Sequence, residues 1–153
     1  MTTFTSEAEA VIDLYTRAWN EMNFKNLGDL WDQEEPDLYY VAEEVDTPLY
    51  KFEDISAYWN QTSKYLEWVK IHLSNKRFKL LSDTLLVVTF EMHVDVSVRV
   101  LEQQSSTPVG ADVRVSAILK NRDNQWRFIH YAEAALGTLP FIRKMYQNNV
   151  RLG

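Results

Sequence analysis

The stretch L86-V-V-T-F-E-M-H-V-D-V-S-V-R-V100 decides the fold, because its hydrophobic period is two. Leu86, Val88, Phe90, Met92, Val94, Val96, Val98 and Val100 fall on one face, and Thr89, Glu91, His93, Asp95, Ser97 and Arg99 on the other. Strict alternation over this length predicts a long strand with one buried face, since successive side chains point to opposite sides of a sheet. Lys70–Leu81 precedes it as a strand with a less regular pattern, which predicts a bulge. "ADVRVSAILK" (111–120) follows with Val113, Val115, Ala117 and Leu119 on one face, "NRDNQ" (121–125) makes a turn, and "WRFIHYAEA" (126–134) is the last strand.

Upstream the period is helical. Ser6 and Glu9 form the S-x-x-E pattern that opens a helix, and Val11, Leu14, Tyr15, Ala18, Trp19 and Met22 recur at helical spacing, so 7–22 reads as an amphipathic helix. A short helix "NLGDLWD" (26–32) is ended by Pro36. "DLYYVAEE" (37–44) and "PLYKF" (48–52) read as two short strands around a turn at 46–48. A helix from Glu53 to Leu66 follows, with Ile55, Tyr58, Trp59 and Thr62 on one side. Thr138 and Pro140 open a final helix, "LPFIRKMYQNNV" (139–150). Long strands with one apolar face need helices packed on it, so the chain is α+β. The face carrying Met92, Val94, Val115 and Ala117 is expected against the first and third helices. Nothing in 1–153 reads as a linker or a repeat, which predicts one domain.

Composition narrows the functions. Of 153 residues 46% are hydrophobic and 13% aromatic, with five Trp and eight Tyr, enough to line a core, an interface or a ligand pocket. The net charge of −6 argues against a nucleic-acid partner, which calls for a basic footprint. There is no cysteine, which excludes disulfides, thiol nucleophiles and Cys-based metal sites. Between Lys25 and Lys51 stand Asp29, Asp32, Glu34, Glu35, Asp37, Glu43, Glu44 and Asp46 with no basic residue. Their spacing matches no calcium loop, so a solvated acidic surface is expected. With no H-x-H or H-E-x-x-H, no metal site is expected, and no nucleotide loop points to a cofactor. The opening "MTTFTSEAEA" lacks the basic start and apolar run of a signal peptide, and no segment approaches the roughly 20 apolar residues of a membrane helix. A cytoplasmic protein that does not engage membranes is the expectation.

Glu133 is the residue that asks for a role. It ends a strand of apolar residues and is flanked by Ala132, Ala134 and Ala135. Such a carboxylate is either a rim group bound to backbone or Arg, or a pocket acid whose pKa rises because its charge is poorly hydrated, making it a usable base near neutral pH. Alternation sends His130 to the face opposite Glu133 and puts His93 on the outer face, away from the valine row. His72 lies on the irregular strand. Alternation also sends one of Glu43 and Glu44 inward: Glu44 if Tyr40 is inward, Glu43 if Tyr39 is.

Three stretches give the chain a resemblance to the nuclear transport factor 2-like superfamily and, within it, the SnoaL-like group: "AVIDLYTRAWNEMNFKNLGDLWD" (10–32), "YKFEDISAYW" (50–59) and "VRVSAILKNRDNQWRFIHYAEA" (113–134). The resemblance implies a strongly curved antiparallel sheet wrapped as a cone around the N-terminal helices, the cystatin-like arrangement, here with an extra C-terminal helix. It also implies a pocket at the wide end and a homodimer formed through the sheet. In SnoaL-like polyketide cyclases the last long strand reads approximately R-I-V-E-H-W-D and its Asp is the acid/base residue; Arg127 to Glu133 laid on that pattern brings Glu133 to the Asp. The neighbouring strand "DVRVSAILK" carries no histidine where those cyclases have one. Ketosteroid isomerases of the same superfamily place an oxyanion-donating tyrosine on the first helix, where Tyr15 stands. The expected site is thus Glu133 as general base, with Tyr15, Trp19, Tyr40, Trp59, Met92 and Tyr131 lining a pocket for a small apolar or aromatic ligand. The reaction class is that of a cofactor-free isomerase, dehydratase or cyclase; the alternative is a non-enzymatic ligand-binding or dimerisation module.

Overall fold

The structure is a computed structural model that describes residues 3–99, 107–149 and 151. The element order is α1 (Thr3–Asn20), α2 (Phe24–Asp29), β1 (Tyr39–Val41), α3 (Phe52–Ser63), β2 (Leu66–Ser82), β3 (Leu85–Val98), β4 (Val109–Arg122), β5 (Gln125–Ala135) and α4 (Leu139–Asn148). The strands form one sheet in the order β1-β5-β4-β3-β2. β2 to β5 are antiparallel neighbours, as the alternation predicts, whereas β1 pairs parallel to β5. The sheet is therefore mixed. Val100 and Val150, the last residues of two predicted elements, lie outside the described residues.

β3 buries Leu86, Val88, Phe90 and Met92, and β4 buries Val113, Val115, Ala117 and Leu119. Against this face pack Ile12 and Tyr15 of α1 and Ile55 and Trp59 of α3. The alternation weakens past Met92: Val94 and Val96 are half-buried, and Ser97 is buried with its hydroxyl donating to Glu67 Oε2 at 2.9 Å. β2 is longer than β3, and its register slips between Leu66 and Trp68, between Ser74 and Arg77, and between Leu80 and Ser82. Each slip adds a residue on β2, which bends the strand and blurs its sequence period. Asn75 sits at the middle slip with φ 52°. Asn20 of α1 covers part of the β2 edge, its Oδ1 accepting from Ile71 N at 2.7 Å and its Nδ2 donating to Ile71 O at 3.3 Å.

Several boundaries differ from expectation for local reasons. α1 begins at Thr3, so Ser6 lies inside the helix; Phe4 packs on the core and gives the extra turn something to bury. Its buried stripe is Ala8, Ile12, Tyr15 and Ala18, which turns Leu14 outward at 46% exposure. The helix stops where Met22 adopts φ 53° and Asn23 N bonds back to Ala18 O, a left-handed C-terminal cap. Asn23 then caps α2, accepting from Asn26 N, so this helix starts and ends earlier than predicted. That frees Leu30–Asp32 to clasp β5, with Phe128 N bonding to Leu30 O and Asp32 N to Phe128 O. "PLYKF" makes no strand: Leu49 exchanges two backbone bonds with Tyr40, and Tyr50 O accepts from Leu38 N.

The acidic segment is only partly a solvated surface. Asp32 is 1% exposed and accepts from Arg122 Nε at 2.8 Å, and Glu35 accepts from Lys120 Nζ at 2.6 Å. These partners come from the end of β4, almost ninety residues on, and are invisible to local charge counting. α4 lies apart from the core: none of its residues is buried, and Leu139, Phe141, Met145 and Tyr146 are exposed. Among the described residues no helix is long and apolar enough to cross a membrane.

Candidate functional site

The site is set by an irregularity in β5. Leu119 pairs with Phe128 but Ile118 pairs with His130, so Ile129 is an extra residue. Regular alternation would put Trp126 and Phe128 on one face and Tyr131 and Glu133 on the other. The bulge at Ile129 reverses the phase between them, and Trp126, Phe128 and Tyr131 are all buried. Glu133 follows Tyr131 on that inner face. His130 turns away and stacks on Tyr39 at 4.5 Å and 9°.

A cavity of about 330 Å³ opens beside Glu133. Tyr15 and Trp19 of α1, Tyr40 of β1, Met92 of β3 and Glu133 line it. Its apolar wall comes from Leu66, Val69 and Ile71 of β2, Val94 and Val96 of β3, and Val113 of β4. Trp59 and Tyr131 are not among the lining residues. They stand behind the wall, 1% exposed each, and act through hydrogen bonds: Trp59 Nε1 donates to Tyr40 Oη at 3.2 Å, and Tyr131 Oη donates to Glu133 Oε1 at 2.6 Å.

The parity question is answered by Tyr40 and Ala42, both buried, which makes Glu44 the inward residue by alternation. The strand ends at Val41, however, and the chain beyond it brings both Glu43 and Glu44 to the cavity mouth. Glu43 contributes its backbone N–H, which donates to Glu133 Oε2 at 3.2 Å; Glu44 accepts from the Tyr58 hydroxyl. The sequence leaves these two undecided, and it places Val94, Val96 and Val113 on apolar strand faces without marking them as pocket residues.

Burial lifts the Glu133 carboxyl from 4.5 to about 7, against the opposing pull of its bonds from Tyr131 and the Glu43 amide, with the Glu44 and Glu43 charges adding to the rise. Tyr15, Tyr40 and Tyr131 are all pushed up, first by burial, so their hydroxyls stay protonated near neutral pH. Burial likewise raises Glu44. Among the described residues Glu133 has no cationic partner: its bonds come from a phenol and an amide. The two remaining histidines are elsewhere. His93 is on the outer face between Asp112 (2.7 Å) and Asp95 (3.1 Å), which raise its pKa, and His72 faces it across the β2–β3 ladder. Among the described residues no group of three or more His, Cys, Asp or Glu is placed to hold a metal ion.

A carboxylate titrating near neutrality in a largely apolar cavity, beside protonated phenols, is chemically a base with hydrogen-bond donors within reach. Solved structures share the architecture. A candidate dehydratase of the nuclear transport factor 2-like family from Streptomyces avermitilis superposes with TM-score 0.76 over 88% of this chain and 97% of that one, at 11% identity. A nuclear transport factor 2-like superfamily protein from Salmonella enterica serovar Typhimurium gives 0.74 over 90% and 96%, at 15%. A hexachlorocyclohexane dehydrochlorinase from Novosphingobium barchaimii gives 0.71 over 87% and 86%, at 12%. At such identities the likeness is one of fold. No curated protein matches the sequence. The model of the SnoaL-like domain matches residues 8–135, which run from within α1 to the end of β5 and include every residue of the cavity wall, and the chain belongs to that family.

Proposed function

We propose that this SnoaL-like domain binds a compact apolar or aromatic molecule in the cavity and removes a proton from one of its carbons, with Glu133 as the general base and without a cofactor. The observation that carries the reading is the setting of Glu133: an uncompensated carboxylate on an apolar wall, held at both oxygens by Tyr131 and the Glu43 amide, with a pKa of about 7. A base of that strength is half-ionised near neutral pH, where it combines availability with driving force. Elimination, as in a dehydratase or a dehydrochlorinase, and double-bond isomerisation both begin with such a proton removal.

The same reading includes a homodimer through the outer face of the sheet. Glu91, His93, Arg114 and Ser116 are exposed there, and Ala132 and Ala134 leave room for close approach. Light scattering is expected to give about twice the 18.0 kDa chain mass; a monomer mass removes this part of the proposal.

The chemistry is testable before any natural substrate is known. Acetophenone in D2O exchanges its methyl protons slowly unless a base is held against them. The protein is expected to speed deuterium incorporation, and Glu133→Gln to reduce that rate by roughly 10²–10⁴-fold while acetophenone still binds. Binding without accelerated exchange at acetophenone or other carbon acids of this size leaves a non-enzymatic ligand-binding module.

A further inference from the structure

Tyr15, Tyr131 and Glu133 form a hydrogen-bonded chain whose two ends open on the cavity while its middle is buried in the wall. Tyr15 Oη lies 2.7 Å from Tyr131 Oη, and Tyr131 Oη 2.6 Å from Glu133 Oε1. Tyr15 and Glu133 line the cavity; Tyr131 does not.

The directions of these bonds are not independent. A tyrosine has one hydroxyl proton. With Glu133 ionised, Tyr131 spends its proton on the carboxylate, so Tyr15 must donate to Tyr131. The Tyr15 oxygen then keeps its lone pairs for the cavity that it lines. With Glu133 protonated, the carboxyl can donate to Tyr131, Tyr131 can donate to Tyr15, and the Tyr15 proton is released toward the cavity. We propose that Tyr131 couples the protonation of Glu133 to the hydrogen-bonding sense of Tyr15, so that the cavity offers a ligand a lone pair when Glu133 is ionised and an O–H when it is protonated. The proposal rests on the reading of Glu133 as a titrating pocket base and gives that site an acid at its other end.

In a catalytic cycle the consequence is a balanced relay. Glu133 takes a proton from a substrate carbon as the C–H bond breaks, and the hydroxyls of Glu133, Tyr131 and Tyr15 rotate so that each donates to the next. One proton then passes along each bond, from Glu133 to Tyr131, from Tyr131 to Tyr15 and from Tyr15 to a substrate oxygen. The C–H electron pair goes into the new double bond, the pair displaced from the C=O or C–O bond stays on the oxygen that Tyr15 protonates, the protein regains its starting state, and no oxidant or reductant is involved. No tyrosinate need form, which matters because burial disfavours that charge at both tyrosines.

The titratable groups around Glu133 are Tyr15 on α1, Tyr40 on β1, Glu43 and Glu44 on the segment after it, Tyr131 on its own strand and, one bond further, Tyr58 on α3. Arg114, on the neighbouring strand, extends to the Ala135 carbonyl and lies on the outer face. Over the range in which Glu133 titrates, Tyr15, Tyr40 and Tyr131 do not ionise.

Two uncharged probes separate the states: acetophenone, which only accepts, and indole, which only donates. With Glu133 titrating at about 7, acetophenone is expected to weaken about tenfold from about pH 6 to about pH 8, and indole to tighten about tenfold. Tyr131→Phe should leave both probes bound and abolish both slopes, because the chain is cut behind an intact wall. Glu133→Gln, whose carbonyl oxygen is claimed by the Glu43 N–H so that its NH2 faces Tyr131, should hold acetophenone at its low-pH affinity throughout. Slopes that survive Tyr131→Phe would mean that the probes touch Glu133 directly, and would overturn the coupling. A readout without probes is the Tyr15 ¹³Cζ shift in labelled protein, expected to titrate with Glu133 in the parent and to lose most of that response in Tyr131→Phe. A flat Tyr15 signal in the parent also overturns it. Failure of the general-base reading alone would appear as absent deuterium exchange with these slopes intact.

Discussion

Phe128 and Tyr131 stand three residues apart on one strand, and both face the core, at 0% and 1% exposure. Residues three apart on a regular strand cannot do this. The odd spacing is absorbed at Ile129, where β5 carries one residue more than β4. It also carries Glu133 round to the inner face.

Deleting Ile129 should therefore harm the protein more than any single truncation of that side chain. Without the extra residue the strand must turn either Trp126 and Phe128 or Tyr131 and Glu133 outward. Loss of a buried Phe alone costs about 3–5 kcal/mol, and the deletion turns out either two large rings, Trp126 and Phe128, or the Tyr131 ring together with the site carboxylate. Thermal melts are expected to show a lowered or non-cooperative transition, against a near-parent melt for Ile129→Val. A deletion variant that melts like the parent would mean that the strand slips without cost.

What could be read from the sequence follows from how local the signal is. The strict period of β3 needs no partner to be recognised, and β3 with the Asp123–Asn124 turn, whose residues adopt φ 54° and 60°, fixes the antiparallel run from β2 to β5. The bulge at Ile129 has no residue signature, because an isoleucine suits a regular strand equally well. β1 pairs parallel with a strand ninety residues later, and the Asp32–Arg122 pair is as distant, so neither leaves a local mark. Glu133 was legible as a carboxylate among apolar neighbours, since that environment is its own sequence context. Its partner Tyr131 was legible only as an aromatic residue; that its hydroxyl, and not its ring, reaches the site depends on the bulge.

α4 gives a prediction about stability in the opposite sense. None of its residues is fully buried, Ile142 alone being half-covered among those described, and a ten-residue helix is marginal without packing. Ending the chain after Gly137 should change the unfolding free energy by less than about 1 kcal/mol, as for surface changes generally. Denaturant titration at a concentration where the chain is monomeric checks this. A loss well beyond that value would show that α4 is covered in the protein at work.

The cavity predicts a substitution that removes binding and spares the fold. Val94 is half-buried and lines the cavity opposite Ala111, one step along the inner row from Met92. Val94→Phe adds a ring that has empty space to enter, so the overpacking cost of about 1–3 kcal/mol seen in filled cores should be reduced. Acetophenone and indole are expected to lose at least about tenfold in affinity, corresponding to about 1.4 kcal/mol. Titrations of both probes on the parent and the variant, with melts alongside, decide it; undiminished affinity would mean that the probes sit elsewhere.

Glu133 ties the site to the stability of the whole chain. Its carboxyl titrates at about 7 in the fold against 4.5 in a free side chain, so the folded state holds the proton more tightly. The sign follows from linkage: a group whose pKa is raised by folding contributes most below its unfolded value and loses that contribution as pH climbs to the folded one. The parent should thus lose stability between about pH 4.5 and about pH 7, by up to about 3 kcal/mol, with no further loss from this group above that range. The carboxyl is half-buried, and water at the cavity mouth reduces the figure. Glu133→Gln has no charge to desolvate and keeps a donor for Tyr131, so it should lack this slope and be the more stable protein above about pH 7. Melts of the two proteins across that range isolate the residue and its coupling to Glu43 and Glu44, because the titrations of groups not coupled to Glu133 are common to both. A parent that gains stability relative to the variant as pH rises would mean that Glu133 is favoured in its charged form. The carboxylate would then be a structural anion held by Tyr131 and the Glu43 amide, and the general base would have to be sought at Glu44.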